Sequence, residues 1–242
     1  MPDSLRPEWP APANVRALQT LRSGGFSPPP WNTFNLGDHV GDAVEHVAAN
    51  RAALRRLLPR EPFWLQQVHG IIVVDATAIS RNPVTADAAF TRATGHVCAV
   101  VTADCLPILL CDRTGSVVAA VHAGWRGLLA GIIEQAVSQM AVPASTLLAW
   151  LGPAIGPAAF EVGDEVRRAF LRESAVESAF VELGRGKWLA DIYQLARQRL
   201  NALGVVDISG GDACTVSEPE RYFSYRRDGL TGRMSSLIWL AD

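Results

Sequence analysis

The stretch TADCLPILLCDRTGSVVAAVHAGWRGLLAG, residues 102–131, constrains the fold of this chain more than any other. Two apolar runs, 106–111 and 116–121, flank the turn-forming sequence DRTG, and this pattern predicts a β-hairpin. If the central Arg and Thr of that turn form a two-residue loop, Cys105 lies directly opposite His122. Opposed residues in an antiparallel pair have Cβ atoms about 4.5–5.5 Å apart and share one face of the sheet. The pair could therefore share a metal ion or act as a nucleophile and its base.

His69 is the candidate for a third member of this site. It lies between two strand-like runs and directly before a glycine, where a side chain can project from the end of a sheet. A zinc site with three protein ligands keeps a fourth position for water, which the metal acidifies. We therefore predict metal ligands at His69, Cys105 and His122, although a buried cysteine taken alone is usually a small hydrophobe. The histidines at 39, 46 and 96 have no such partner and are predicted to be structural or exposed.

Basic residues form a second group of candidates. Four arginines lie between residues 221 and 233, and the pair Arg226 and Arg227 suits bidentate binding of phosphate or carboxylate. Arg126 follows the hairpin at a predicted strand-to-helix junction, where backbone N–H groups favour anions. Arg22, before two glycines, offers a weaker anion contact. The alternative is that these arginines lie on a solvated face of the protein and form surface ion pairs.

Two carboxylates are candidates for proton transfer, Asp104 and Asp87, and the sequence does not decide between them. Several other chemistries lack their signatures. The zinc motif of cytidine deaminases, H-x-E with P-C-x-x-C, is absent, and so is the nucleophile motif G-x-S-x-G. Five histidines without an H-x-H pair are too few for the several coppers of a multicopper oxidase.

The chain is predicted to be one α+β domain. Its 242 residues would allow one large or two small domains, and no linker separates two. Residues 1–13 are polar and proline-rich and are predicted to be a flexible arm, followed by a single catalytic domain over 14–242. Strands outnumber helices and several look hairpin-linked, which favours mixed sheets over an all-parallel sheet. Helices are predicted over 47–58, 128–140, 165–170 and 192–203.

Charge and cysteine usage limit the partners and the compartment. The formal net charge of −2 gives no general attraction to nucleic acid or anionic membranes. No apolar run reaches the ~18 residues of a membrane span, and the N-terminus does not read as a secretory signal. The four cysteines lack a disulfide-framework spacing. We therefore expect a cytoplasmic protein with no nucleic-acid or membrane partner, and a monomer by default.

Several motifs taken together resemble those of the YfiH-type laccase-domain family, also called multicopper polyphenol oxidoreductase-like proteins. They follow one another along nearly the whole chain. They are RSGG (22–25), FNLG (34–37), QVHG (67–70), ADA (86–88), TADCLP (102–107), VHAGWR (121–126), GPAIG (152–156) and YRRDG (225–229).

The resemblance implies a single-domain, mixed-sheet α/β sandwich of the YfiH type. It also implies zinc, with copper as the alternative metal, at the positions of His69, Cys105 and His122. The implied activity is phosphorolysis of adenosine, inosine and methylthioadenosine to free base and ribose phosphate, together with adenosine deamination. Cys105, His122 and Asp104 would be catalytic, and Asp87 would contact ribose if it is not the acid or base. The full set expected to bind nucleoside or phosphate is Arg22, Asn35, Gln67, Asp87, Arg126, Arg226 and Arg227.

Three other functions stay open. One is a cysteine-type amidohydrolase, with Cys105 as nucleophile and His122 as base, acting on a misassembled peptidoglycan precursor that bears serine. Another is polyphenol oxidase activity, as the older family name suggests. The last is a metal-binding protein without enzymatic activity.

Overall fold

The structure, a computed structural model, describes residues 2–78, 83–174 and 176–242. Its helices are α1 Val44–Arg55, α2 Trp125–Ala130, α3 Ile132–Gln139, α4 Asp164–Glu173, α5 Ile192–Ala202 and α6 Tyr225–Asp228, with short 3-10 helices at Ala144–Thr146 and Glu177–Ala179. Its strands are β1 Ser4–Leu5, β2 Val15–Thr20, β3 Leu65–Gln66, β4 Val73–Asp75, β5 Val84–Thr85, β6 Ala88–Thr91, β7 Val97–Thr102, β8 Leu106–Asp112, β9 Val118–Ala123, β10 Leu147–Leu151, β11 Glu161–Gly163, β12 Phe180–Gly184, β13 Lys187–Ala190, β14 Asp207–Gly210 and β15 Met234–Leu240. This is an α+β fold, as predicted.

The described strands form four sheets. The largest has the order β14-β10-β8-β9-β6-β4, and a second has the order β1-β2-β15-β7. A three-stranded sheet, β11-β13-β12, and the pair β3-β5 complete the set. Most neighbours are antiparallel, while β10–β14, β4–β6 and β3–β5 are parallel. The sheets are therefore mixed, as the hairpin-linked pattern predicted.

Side chains that alternate between the two faces of the strands pack the sheets and helices into four layers. In β7, Cys98 and Val100 pack between the two large sheets, whereas Val97, Ala99 and Val101 pack on the side of α1. The opposite face of the six-stranded sheet is covered by α3 and α5. Successive strand residues point to opposite faces, so each large sheet is buried on both sides. The layers are α1, the four-stranded sheet, the six-stranded sheet, and the α3–α5 pair.

The hairpin forms, but the predicted register is wrong. Leu106 pairs with Ala123 and Pro107 with His122, so Cys105 is not directly opposite His122. The reason is the turn, which holds four residues rather than two, because the carboxylate of Asp112 accepts N–H groups of residues 114, 116 and 117. The resulting shift by two positions keeps Cys105 on the face of His122, since side chains alternate with a period of two.

Two other elements differ from the expectation. The helix predicted over 128–140 is divided into α2 and α3 at Gly131, whose φ of 100° only glycine adopts readily. The N-terminal segment, expected to be a flexible arm, pairs with the sheet, because Ser4 lies opposite Thr20 and Leu5 opposite Gln19. In the described part of the chain, every helix is too short or too polar to cross a membrane.

Candidate metal and active site

Three side chains from separate elements meet at one end of the space between the two large sheets. His122 is in β9, Cys105 directly precedes β8, and His69 lies in the loop after β3. Their ligand atoms all lie within 4.8 Å of one another. Cys105 Sγ is 3.6 Å from His69 Nε2, and the two imidazole rings meet edge to face, with centroids 4.8 Å apart. The structure thus brings together the three residues that the sequence predicts as ligands.

Asp87 holds both histidines in place. Its carboxylate accepts a hydrogen bond from Nδ1 of His122 at 2.8 Å. It also accepts hydrogen bonds from the backbone N–H groups of His69 at 2.8 Å and Gly70 at 2.7 Å. The N–H of Val68 lies within 3.3 Å of both oxygens. Asp87 itself is fully buried. Because Nδ1 of His122 is committed to Asp87, its other ring nitrogen is the one available to the cluster.

Both His69 and Asp104 adopt left-handed backbone conformations, with φ of 59° and 87°. Such conformations are strained for residues with a side chain and collect at functional sites. Hydrogen bonds stabilise the left-handed conformation of Asp104. Its carboxylate accepts hydrogen bonds from the Thr215 hydroxyl at 2.5 Å and from the Arg226 N–H at 2.6 Å. Its carbonyl accepts the N–H of Ile155 at 2.9 Å. Asp104 therefore ties three loops to the corner that presents Cys105.

The cluster perturbs the pKa values of its own members. Burial alone would raise the pKa of Cys105, but the hydrogen bonds and charges of His122 and His69 outweigh burial and lower it. Burial alone would lower the pKa of His122, but Asp87 and Cys105 raise it. Burial also opposes ionisation of Asp87, yet the hydrogen bonds from His122 and from backbone N–H groups keep its pKa below the usual range. A thiolate is therefore favoured at Cys105, which is the form that binds metals and acts as a nucleophile.

Two glycines give the cluster its space, Gly124 in the VHAGWR segment and Gly127 directly after it. A Cβ added at Gly124 would lie 2.8 Å from Cδ2 of His69 and 2.9 Å from Sγ of Cys105. A Cβ at Gly127 would lie 2.9 Å from the carbonyl oxygen of Gly70. Real Cβ atoms do not approach so closely, so each position requires glycine. Gly124 and Gly127 thus allow the start of α2 to pack directly on the loop of His69.

The donor set fits a divalent metal ion. A tetrahedral zinc ion with usual Zn–S and Zn–N bond lengths holds sulfur and nitrogen about 3.6 Å apart, and Cys105 Sγ and His69 Nε2 are 3.6 Å apart. A carboxylate on the far nitrogen of a ligating histidine, as Asp87 is on His122, is the usual support for such a ligand. Thiolate and imidazole also suit copper, so the geometry does not select between the two metals.

A cavity of about 400 Å³ opens onto the cluster. One wall is apolar or aromatic and is formed by Trp125, Ile155, Phe160, Ile192 and Tyr225. The polar lining comes from the cluster itself and from His39, Gln67, Thr102, Asp104, Arg126, Arg226 and Arg233. A concave site of this size with a few convergent polar groups is typical of small-molecule binding.

Three of the expected substrate-binding residues line the cavity. Arg126 stacks on Trp125 at its rim, with the guanidinium 4.3 Å from the ring. The Gln67 side chain pairs with the backbone of Val101 in both directions, at 2.8 and 2.7 Å. Arg226 donates through Nη1 to two backbone carbonyls at 3.3 and 3.1 Å. Gln67 is therefore already occupied by the protein backbone.

Four others do not line the cavity. Asp87 lies behind the histidines, as described above. Arg22 donates to the carbonyl of Pro219 and packs on Phe223. Arg227 donates to backbone carbonyls of residues 215, 216 and 222. Asn35 is fully buried and hydrogen-bonds the loop around it. Each guanidinium or amide is used to fix a loop, which motif spacing alone does not reveal.

The sequence also left out several cavity residues. His39 is exposed, as predicted, and it also lines the cavity. Thr102 and Arg233 join it from the facing ends of β7 and β15. The adjacency of β7 to the C-terminal strand brings these residues together, and no local sequence signal marks that long-range pairing.

Known proteins resemble this chain over almost its full length. A profile of the family described as multi-copper polyphenol oxidoreductase laccase matches residues 16–241. The chain is 55% identical over 237 residues to Purine nucleoside phosphorylase YfiH of Escherichia coli (strain K12), covering 97% of each. It is 52% identical over 240 residues to a Pseudomonas aeruginosa protein also named as a purine nucleoside phosphorylase, covering 98% of each. The crystal structure of a Neisseria meningitidis protein, 48% identical, matches with a TM-score of 0.96 over 99% of both chains. That of YlmD from Geobacillus stearothermophilus, 30% identical, matches with a TM-score of 0.86 over 95% of this chain and 93% of the other.

Proposed function

The chain belongs to the multi-copper polyphenol oxidoreductase laccase family, and from that premise we propose that it is a zinc-dependent purine nucleoside phosphorylase that also deaminates adenosine. Adenosine, inosine and methylthioadenosine are the proposed substrates, with inorganic phosphate as the second reactant. The names of relatives that are 55% and 52% identical support the phosphorylase assignment. Zinc and the deaminase activity go beyond those names and rest on the site.

The observation that carries the proposal is the cavity of about 400 Å³ that opens directly onto the His69–Cys105–His122 cluster. Its aromatic and apolar wall suits the faces of a purine ring, which stacks on aromatic side chains. Its polar side, with the cluster and the arginines, suits ribose hydroxyls and phosphate. In the described residues a single cluster has this metal-site geometry, so a mechanism needing several coppers has no support.

In phosphorolysis, a phosphate oxygen forms a bond to C1′ of the ribose as the bond from C1′ to N9 breaks. The purine leaves with the bonding electrons and takes up a proton. The protein must hold the two reactants in line, which in itself accelerates such a reaction. Phe160 and Trp125 would fix the base, and the cavity arginines would hold phosphate.

A metal ion on His69, Cys105 and His122 would supply Lewis-acid polarisation and lower the pKa of water, as deamination at C6 requires. Asp87 orients His122 through the 2.8 Å hydrogen bond to Nδ1. We assign Asp104 a positioning role, because its two oxygens already accept Thr215 and Arg226. Backbone strain at Asp104 then sets where the thiolate of Cys105 points.

Product analysis tests the proposal. The protein, with its metal content measured, is incubated with adenosine in the presence and absence of phosphate. We expect adenine only with phosphate and inosine in both cases, and we expect His122→Ala to abolish both products. His96→Ala is the matched control, because His96 lies at the opposite end of β7 from the cluster and, within the described residues, its ring bonds only the carbonyl of Thr94. Wild-type protein that releases neither adenine nor inosine would contradict the proposal.

One observation favours a second candidate, a cysteine-type hydrolase. Such enzymes use a nucleophile, a base and a carboxylate that orients the base. These roles would fall to Cys105, His122 and Asp87, and the pKa of the Cys105 thiol is lowered. Turnover of an amide substrate, such as a peptidoglycan precursor, that persists in strong chelator would support this reading. Zinc protection of Cys105 from alkylation, with activity lost in chelator, would oppose it.

A further inference from the structure

Arg233 lies in the cavity wall, where part of its guanidinium is hydrogen-bonded and part is not. Its Nη1 donates to the carbonyls of Thr231 and Gly232 at 3.1 and 3.0 Å. Across the described residues, Nε and Nη2 have no hydrogen-bond partner and no carboxylate pairs with the group. Burial lowers the pKa of Arg233, while Cys105 and Asp104 raise it. Cys105 and Asp104 act on Arg233 without a direct ion pair in the described residues, so a bound anion that hydrogen-bonds its free nitrogens would stabilise this partly buried cation further.

The backbone and stem of Arg233 are held by a built cradle. Asn35 Oδ1 accepts the N–H groups of both Arg233 and Gly37 at 2.9 Å, and the carbonyl of Arg233 accepts the N–H of Leu36 at 3.1 Å. A Cβ added at Gly37 would lie 2.7 Å from Cγ of Arg233. The 35–37 loop therefore leaves just the space that the arginine stem fills, and it fixes the direction of the side chain.

A buried hydroxyl that finds no partner in the described residues belongs to another cavity residue, Thr102. Thr102 is 2% exposed, lines the same cavity, and pairs across the β7–β15 ladder with Met234, the neighbour of Arg233 in sequence. Its Oγ1 is buried and has no hydrogen-bond partner in the described ranges. Buried hydroxyls are normally satisfied, so the unpaired hydroxyl of this cavity residue is a candidate partner for a bound anion. His39 lines the cavity on the side of Arg233, which helps to lower the pKa of His39.

We propose that Arg233 and Thr102 form the oxyanion subsite of the cavity and bind the inorganic phosphate that attacks the nucleoside. Identifying the anion as that phosphate rests on the proposed function. The guanidinium presents a planar fork that matches two phosphate oxygens, and the hydroxyl donates to a third. Among the arginines predicted from the sequence, Arg22 and Arg227 do not line the cavity. Arg126 and Arg226 line it, but Arg233 is distinguished from them by the loop that fixes its stem.

The first test uses Arg233→Gln in the full-length, metal-loaded protein. Binding of inorganic phosphate is measured by calorimetry without nucleoside, and KM for phosphate and for adenosine is measured separately. We expect the phosphate Kd and KM to rise at least about tenfold, as for a lost charge-assisted hydrogen bond, with KM for adenosine and zinc content little changed. Arg16→Gln removes the same charge at the other end of the sheet, where Arg16 pairs with Trp239, roughly 20 Å away at ~3.3 Å per residue. It should behave as wild type.

Two further variants keep the test independent of folding. Thr102→Val preserves shape and removes a hydroxyl that has no partner, so the thermal midpoint should hold or rise while KM for phosphate rises severalfold. Gly37→Ala keeps every charge but displaces the stem of Arg233, so it should also weaken phosphate binding and raise KM for phosphate. Phosphate binding by Arg233→Gln and Thr102→Val equal to that of wild type would overturn the subsite. Wild-type protein that binds phosphate through Arg233 but performs no phosphorolysis would leave the oxyanion subsite standing and refute the proposed function alone.

Discussion

Replacing Asp87 with Asn isolates the support of the metal site from the ligands themselves. In the wild-type protein one carboxylate oxygen accepts His122 Nδ1 and the His69 N–H, and the other accepts the Gly70 N–H at 2.7 Å. An amide keeps only one accepting oxygen. If that oxygen stays with the histidines, the new NH₂ faces the N–H of Gly70, and this partly buried donor loses its partner.

The magnitude follows from that geometry. An unsatisfied buried N–H costs about 1–3 kcal/mol, and each kcal/mol lowers the thermal midpoint of a protein of this size by about 2–4 °C. We therefore expect Asp87→Asn to unfold about 2–12 °C below wild type. Loss of the carboxylate behind a ligating histidine typically lowers metal affinity 10–100-fold, and we expect about that loss for zinc.

The assay is competition for zinc with a chromophoric chelator, together with thermal unfolding of the metal-free protein. Asp3→Asn is the control, since this substitution removes the same charge from an exposed residue of the N-terminal segment. Zinc affinity of Asp87→Asn within a factor of two of wild type would refute the role assigned to Asp87, whatever the effect on stability.

Three further predictions follow from the same contacts. Gly124→Ala should lower zinc affinity at least about tenfold, because its Cβ would lie within 2.9 Å of Cys105 Sγ; unchanged affinity in the chelator assay would contradict this. In metal-free protein, Cys105 should react with iodoacetamide much faster than Cys98, whose pKa burial raises, and added zinc should protect it; peptide mapping by mass spectrometry reports both. Asp112→Asn should destabilise the hairpin by about 1–3 kcal/mol at neutral pH. Burial alone would raise the pKa of Asp112, but hydrogen bonds from its turn lower it. Its stabilisation is therefore present above the unfolded-state pKa of about 3.9 and lost as the pH falls through the folded-state pKa. Urea unfolding at several pH values should show the difference from wild type shrinking in acid, and a constant difference would be the contrary result.

The sequence predicted the α+β class, most strands of the core and the family, which the matching profile and structures confirm. It also predicted that His69, Cys105 and His122 meet, although through a wrong hairpin register. The prediction survived because the true register differs by two positions, which preserves the face of the sheet. A shift by one would have separated Cys105 from His122.

The features that were not predicted depend on contacts that the order of residues along the chain does not reveal. The wide turn comes from a carboxylate at Asp112 that accepts three backbone N–H groups. The phosphate-binding candidates Arg22 and Arg227 looked free in the sequence, but loops far along the chain supply carbonyls that occupy them. Arg233 is distinguished from the other arginines by its place in the cavity and by the loop that fixes its stem, and both become visible only in the structure.

Titration of zinc into metal-free protein, with adenine release from adenosine measured in the presence of phosphate, tests the central claim most directly. A single metal ion on His69, Cys105 and His122 predicts no release without zinc and a linear rise that stops at about one equivalent. Full adenine release in metal-free protein with chelator present would contradict the claim that this cluster works as a metal site.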